Sequence, residues 1–226
     1  MKVSIVIPCF NEGRTIAEVI DRILQVRFDC EREIIVVDDG STDGSDQIIK
    51  TFSEVKLVTH ETNRGKGAAI RTGIETASGD VLVIQDADME YRPSFLPELV
   101  DPIFKGEADV VIGSRFLGQV EGMSWSHAFG NKVLSWTASL LTGQAVTDVM
   151  TGHKAFRTSL LREMRLKSGE FEIEVELIAR AAKRRARISE IPITYSYRKA
   201  GTAKIGWRHG VSSFLLLLRL ALGEPF

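Results

Sequence analysis

Three carboxylates at alternate positions, Asp86, Asp88 and Glu90, follow directly on the apolar, β-branched run Val81-Leu-Val-Ile84. Such a run reads as a buried strand. An unpaired buried charge is costly, so the acids must lie just past the strand's C-terminal end, where open α/β sheets bind their ligands. Alternate spacing in an extended segment would put all three on one side. Converging carboxylates repel unless a cation lies between them, and a hard divalent ion, Mg²⁺ or Mn²⁺, suits an all-oxygen set. That ion needs an anionic partner in turn, for which a diphosphate is the natural choice. The competing reading of the triplet alone is a solvated acidic turn leading into Arg92 and Pro93.

Two more strand ends carry polar groups. Val3 to Ile7 is stopped by Pro8 and followed by Phe10 and Glu12, and Glu33 to Val37 runs into Asp38 and Asp39. Side by side, these ends describe a nucleotide pocket, in which an aspartate accepts N–H groups from a base edge and Phe10 packs against the base. For Asp38 and Asp39 the alternative is an N-cap and turn pair. Gly65-Lys66-Gly67 opens a helix but is no P-loop, because Gly67 and Ala68 stand where that motif needs other residues. Either its backbone N–H groups cradle a phosphate or it is a tight left-handed turn. Gly113-Ser114-Arg115 ends a strand from Asp109 and aims an arginine at the same crevice, where it can hold a phosphate bidentately.

The elements that must position these groups alternate along the chain. Apolar positions 16, 19, 20, 23 and 24 mark an amphipathic helix. Further helices are expected at 45–52, 66–77 and 94–105, with strands at 55–59 and 109–113. Strand and helix in alternation predict an α/β fold, a mostly parallel sheet with helices on both faces. Phe129 to Leu141, with Trp136, reads as a helix packed in the core, and 147–156, containing Asp148 and His153, as a lining loop. Glu172, Glu174 and Glu176 open a helix that ends at Arg185, a charge order that suits the helix dipole and reads as capping and solubility. Ile188 to Tyr197 has the character of an edge strand, with Pro192 inside it. A loop with Arg198, Lys199 and Lys204 follows, then a helical stripe of Trp207, Val211, Phe214, Leu215 and Leu218 edged by Arg208 and Arg219. That helix suits a membrane interface, its own domain, or a partner.

The 226 residues suffice for one large α/β domain, and 44% hydrophobic with 26% charged residues is ordinary globular composition. The net charge of −1 hides an asymmetry. Residues 1–153 carry 14 Lys and Arg against 23 Asp and Glu, a net of −9, whereas 154–226 carry 15 against 7, a net of +8. A basic C-terminal third suits phosphate groups or an anionic membrane surface. Nucleic acid is disfavoured, since Tyr195, Tyr197 and Trp207 are the only aromatics among those cations placed for stacking. Cys9 and Cys30 lack metal-ligand spacing and are expected as reduced thiols of a cytosolic chain. No signal peptide is expected, and Phe214 to Leu218 is too short to span a bilayer.

The motifs Ile7-Pro-Cys-Phe-Asn-Glu12, Val36-Val-Asp-Asp-Gly-Ser-Thr-Asp-Gly44, Asn63-Arg-Gly-Lys-Gly67, Asp86-Ala-Asp88, Gly113-Ser-Arg115, Thr147-Asp148 and the Arg198–Lys204 loop occur in order along nearly the whole chain. Together they resemble the family 2 glycosyltransferases of the GT-A fold, and within them the dolichol-phosphate mannose synthase-like group. The resemblance implies a 1–194 catalytic domain, with 1–115 for nucleotide sugar and metal and 116–194 for the acceptor, and a basic amphipathic extension over 195–226. It implies that Pro8, Phe10, Glu12 and Asp39 hold the nucleoside of a GDP- or UDP-sugar, with Asp86 and Ala87 beside the ribose and diphosphate. Asp88 and Glu90 would ligate the divalent ion, although relatives often have glutamine at the second position. Arg115 and Ser135 would meet the phosphate of a polyprenyl phosphate, with Lys132 near by, and Arg198 and Lys204 would close over the donor. One departure stands out: Asn131 occupies the place where relatives have an arginine.

The implied reaction is inverting transfer at the cytoplasmic face of a membrane, through peripheral contact or a membrane-protein partner. A phosphate oxyanion needs no general base, whereas a hydroxyl acceptor does, and only Asp148 and His153 offer themselves for that second case. The remaining alternative is a nucleotide-sugar-binding module without catalysis, against which the intact Asp86-Ala-Asp88 motif argues.

Overall fold

The runs Ile5–Ile7, Ile34–Val37 and Val81–Ile84 are apolar and buried at every position, with packed side chains on both faces. This computed structural model describes residues 1–197 and 206–222. The chain runs β1 (Lys2–Cys9), α1 (Ile16–Gln25), β2 (Glu31–Asp38), α2 (Ser45–Ile49), β3 (Val55–Thr59), α3 (Lys66–Thr76), β4 (Val81–Ile84) and α4 (Leu96–Phe104). It continues with β5 (Val110–Glu121), α5 (Trp125–Thr142), β6 (Lys154–Arg157), α6 (Thr158–Glu163), α7 (Ile173–Lys183), β7 (Ile188–Ser196) and α8 (Trp207–Ala221). The seven strands make one sheet in the order β3-β2-β1-β4-β6-β5-β7. Pairing is parallel except at β6, which runs antiparallel to both β4 and β5. Alternation along the strands sorts the core into two layers. Val6, Ile35, Val37, Leu82 and Ile84 face α3, α5 and α7, while Ile5, Ile7, Val36, Val81 and Val83 face α1 and α4. The mostly parallel α/β fold expected from the sequence is therefore the one observed.

Four expectations need correction. The strand predicted to stop at Gly113 runs on to Glu121, with a register shift between Ser114 and Gln119 opposite Pro192 and Thr194 of β7. Pro192 has no N–H to continue the ladder, and a Cβ on Gly118 would lie 2.1 Å from the Ile193 carbonyl oxygen, so the strands cross there on a glycine. Next, α5 does not bury its large side chains: Trp125, Trp136 and Leu140 are 80%, 68% and 67% exposed, and the inward residues are Leu134, Ser135, Thr137 and Ala138. Third, Glu174 and Glu176 are buried rather than solvated. Glu176 accepts the backbone N–H groups of Lys167 and Ser168 and pairs with Arg180. Finally, the stretch 147–156 is not all loop, because it runs into β6 at Lys154–Arg157. Of the settings open to α8, packing on its own domain is observed, with Leu216, Leu217 and Leu220 in the same core layer as α7. Val211, Phe214 and Leu215 of α8 remain exposed. β7 is the sheet edge, as Pro192 suggested, and both cysteines are free thiols.

Candidate active site

Strand order reverses at β1, whose neighbours are β2 on one side and β4 on the other, and a crevice opens outside the carboxyl ends at such a switch point. A cavity of about 360 Å³ lies there. It brings together Pro8, Phe10 and Glu12 from the end of β1, Asp39 from β2, Asp86, Ala87, Asp88 and Glu90 from the segment after β4, and Arg115 from β5. Ser135 and Lys132 do not line it, and Arg198 and Lys204 lie outside the described residues.

The carboxylate segment is a turn, not the extended stretch that alternate spacing suggested. Met89 has φ 65°, in the left-handed region, and Asp88 Oδ1 accepts the Glu90 backbone N–H at 3.1 Å. An aspartate capping its own turn two residues on is the local reason. The turn is tied down from both sides. Thr15 Oγ1 donates to the Ala87 carbonyl at 2.7 Å, and Tyr195 Oη donates to Glu90 Oε2 at 3.0 Å. Burial first, then the Glu90 charge, holds that phenol above the ordinary tyrosine range. Tyr91, next in sequence, accepts the Gly152 N–H at 3.1 Å.

Asp39 carries out the turn role that competed with base recognition. Its Oδ1 accepts the Arg64 N–H at 2.9 Å and pairs with His60 at 2.6 Å, and its Oδ2 accepts the Gly65 N–H at 2.8 Å. It thus fixes the 63–67 loop while its side lines the cavity. Gly65 sits at φ +90° and ψ 159°, outside the compact left-handed well, and a Cβ there would meet the Gly169 carbonyl at 2.4 Å, so the turn needs a glycine without being the tight left-handed turn expected.

Arg115 faces the crevice, but its fork is already engaged. Nε and Nη2 each lie 2.7 Å from an oxygen of Asp148, and the Arg115 backbone N–H donates to the same carboxylate at 3.0 Å. Burial alone would lower the guanidinium, yet Tyr91 and Asp148 raise it further above its ordinary range. Asp148 is fully buried in that pair. His153 is buried too, pushed down to about 3 by desolvation, with no hydrogen-bond partner on either ring nitrogen among the described residues. Neither side chain named as a base lines the cavity. Ser135 Oγ donates to the Asn131 carbonyl and accepts the Val149 N–H, both at 2.9 Å, so its hydroxyl braces α5 against the 147–153 loop. Lys132 lies over the Phe116 ring, 5.3 Å from its centre.

Two residues that sequence reasoning missed sit inside the cavity: Lys66 and Glu174. Lys66 Nζ is 2.6 Å from Asp86 Oδ1 and 2.8 Å from Glu174 Oε1. Burial would lower this lysine, but the two carboxylates outweigh it and hold the ammonium above its usual range. The other oxygen of Glu174 is gripped by Lys154, which is wholly buried and also donates to the Thr151 carbonyl. The only sequence clue was the Gly-Lys-Gly turn, since an acidic first helical turn is ordinary.

Comparison with known proteins fits this geometry. The profile of the family described as Glycosyl transferase family 2 matches residues 4–165. A dolichol-phosphate mannosyltransferase of Pyrococcus furiosus is 31% identical over 216 residues, covering 91% of this chain and 59% of that protein. The chain therefore spans less than two thirds of that relative. A UDP-N-acetylglucosamine–dolichyl-phosphate N-acetylglucosaminyltransferase of Methanococcus voltae is 30% identical over 246 aligned positions, covering 98% of this chain and 97% of that protein. The crystal structure of glucosyl-3-phosphoglycerate synthase from Mycobacterium tuberculosis, in complex with Mn²⁺, UDP and glucosyl-3-phosphoglycerate, matches with TM-score 0.81 at 24% identity. That match covers 100% of this chain and 81% of the other, and at this identity it is a likeness of fold. With most of its length under the family profile and its carboxylate turn at the switch point of the sheet, the chain belongs to glycosyl transferase family 2.

Proposed function

We propose that this transferase moves a hexosyl group, mannose or glucose, from a GDP- or UDP-sugar to a polyprenyl phosphate, inverting the anomeric centre, at the cytoplasmic face of a membrane. The observation that carries the acceptor assignment is the exposed apolar stripe that α5 presents beside the cavity, Trp125, Phe129, Val133, Trp136 and Leu140. The two bases that the sequence offered for a hydroxyl acceptor are also withdrawn: Asp148 is clamped by Arg115, and His153 is buried away from the cavity. A hydroxyl acceptor requires a base within hydrogen-bond reach, whereas a phosphate oxyanion attacks unaided. The names of the Pyrococcus and Methanococcus relatives both couple sugar transfer to dolichyl phosphate, in support.

Val211, Phe214 and Leu215 of α8 add to that exposed stripe. Both helices also line the cavity, through His127 and Asn131 on α5 and His209 on α8. An acceptor phosphate entering between them keeps its chain against apolar side chains. No helix among the described residues is long and apolar enough to cross a membrane, so contact would be peripheral or through a membrane-protein partner.

Asp88 and Glu90, two hard oxygen donors on one turn facing the cavity, fit Mg²⁺ or Mn²⁺ completed by diphosphate oxygens. When bound, that ion neutralises charge developing on the departing nucleotide. Phe10 and Pro8 would pack on the base, and Glu12 and Asp39 would fix the nucleoside. Arg198 and Lys204 would close over the diphosphate. Radiolabelled GDP- and UDP-sugars offered with polyprenyl phosphate, in Mn²⁺ or EDTA, test the reading. Metal-dependent label in the lipid fraction is expected, reduced at least about a hundredfold in Asp88→Ala. Donor binding without lipid label would transfer the assignment to another acceptor, and no donor binding would end it.

A further inference from the structure

A tyrosine near the end of an edge strand can leave its hydroxyl in water. Tyr195, near the end of β7, instead is 4% exposed and donates to Glu90 Oε2 at 3.0 Å. We infer that Tyr195 is a positioning residue that restricts Glu90 to ligation through one oxygen and thereby selects a small octahedral divalent ion, Mg²⁺ or Mn²⁺, over Ca²⁺. The inference rests on the transferase reading above, which places Glu90 among the metal ligands.

The contact is built into the fold on every side. The Tyr195 ring meets Tyr91 edge-on, with centres 5.7 Å apart, and the Arg115 guanidinium lies 5.3 Å from its centre. Arg115 is fixed in turn by its two 2.7 Å contacts with Asp148. The backbone repeats the attachment: Tyr91 and Tyr195 form an antiparallel bridge, and the Ser196 N–H donates to the Glu90 carbonyl at 3.2 Å. Strand β7 therefore holds Glu90 by both its carbonyl and its carboxylate, just after Met89 has taken its left-handed conformation. The rotamer freedom of a long acidic side chain is spent before any ligand binds. Partners of this kind orient metal ligands and set their affinity. The choice of ion follows from how each takes a carboxylate. Ca²⁺ accommodates irregular shells and takes both oxygens of a glutamate readily, whereas Mg²⁺ demands near-ideal octahedral geometry. With Oε2 accepting the phenol hydrogen, Glu90 cannot turn both oxygens to one ion without giving up that bond. Giving it up is costly, because the buried hydroxyl would be left unpaired away from water.

The test is Tyr195→Phe, which removes one oxygen and keeps the ring between Tyr91 and Arg115. Calorimetry in the presence of UDP or GDP gives Kd for Mn²⁺ and for Ca²⁺, and calorimetry in EDTA gives the metal-free affinity of each nucleotide. Mn²⁺ affinity is expected to fall about tenfold to a hundredfold, the usual effect of removing the hydrogen-bond partner of a metal ligand, with metal-free nucleotide affinity within about twofold of the parent protein. Ca²⁺ affinity is expected to stay within about threefold or to rise. On a Glu90→Ala background, Tyr195→Phe should alter neither ion's Kd, since the group it acts through is gone. Glu90→Asp, which draws the carboxylate back from the phenol, covers the case in which Tyr195→Phe does not fold, and it too should narrow the preference for Mn²⁺ over Ca²⁺. Equal losses for the two ions would overturn the selective role, as would an effect of Tyr195→Phe that persists without the Glu90 carboxylate. A parent protein that binds neither ion in the presence of UDP or GDP would instead remove the metal site, and with it the transferase reading on which the role of Tyr195 rests.

Discussion

Arg115 and Asp148 illustrate what single residues conceal in a sequence. An arginine at a strand end is a natural phosphate ligand, and nothing in the linear order pairs it with an aspartate 33 positions later. In the fold the two make a bidentate buried pair, which anchors the 147–153 loop to β5. His153, on the same loop, stays uncharged by burial, at about 3 against roughly 6.5 in an unfolded chain. The unfolded state therefore takes up a proton that the folded state refuses, so this part of the stability is complete above pH ~6.5 and is lost as pH falls toward about 3. Chemical denaturation should show about 2 kcal/mol lost to this group between pH ~6.5 and pH ~5. His153→Leu is expected to remove that part of the slope and, because neither ring nitrogen has a partner among the described residues, to leave neutral-pH stability within about 1 kcal/mol or raise it. An unchanged slope would show that the proton goes elsewhere. The carboxylates after β4 were legible because their type and place follow from burial alone. Glu174 was not, since whether a helix turns its first residues inward depends on packing that no local pattern encodes.

Among the elements, α5 departs furthest from its sequence. Apolar residues recur on both of its sides, and periodicity cannot say which stripe the protein keeps. The small one is kept: Ser135, Thr137 and Ala138 let the helix lie close to the domain, while the aromatic residues point outward. If this stripe meets lipid, Phe129→Ser combined with Trp136→Ser should weaken binding to anionic vesicles by at least about a hundredfold, from about 1.5–3 kcal/mol of lost burial per aromatic. Stability should change by less than about 1 kcal/mol, because both side chains are exposed. Flotation with phosphatidylglycerol vesicles reads the first, and thermal unfolding the second. Equal flotation of parent and variant would dismiss α5 as the contact. The strands other than β6, whose residues were read as part of a lining loop, were by contrast placed within a few residues by their β-branched runs. The error at β5 arose because its continuation to Glu121 depends on pairing with β7, a partner far along the chain.

For the molecule as a whole, the alternation of strand and helix sufficed to name an α/β sheet, whereas the reversal of β6 could not be read from a four-residue strand with no strand-turn signature. The cavity draws on β1, β2, β4, β5, α5, α7 and α8, so its ligands should stabilise the entire fold. Mn²⁺ with a nucleoside diphosphate at a hundredfold over Kd is expected to add about 2.7 kcal/mol, a rise in Tm of about 5–11 °C. EDTA should cancel the shift, and a shift that survives EDTA would place the nucleotide in a metal-independent site.

The place of β6 has a consequence for how this protein comes into being. Strand β4 is flanked by β1 and β6, and β6 emerges from the ribosome only after α4, β5 and α5. Until then the nascent chain carries a half-sheet with a bare apolar edge, the kind that recruits other chains. Gly152, whose N–H meets Tyr91 and whose missing side chain admits Asp86, arrives in the same late stretch. Synthesis therefore completes the carboxylate turn last, and a polypeptide ending after Arg115 would have the donor strands but neither the strand that seals their edge nor the wall that shapes their site.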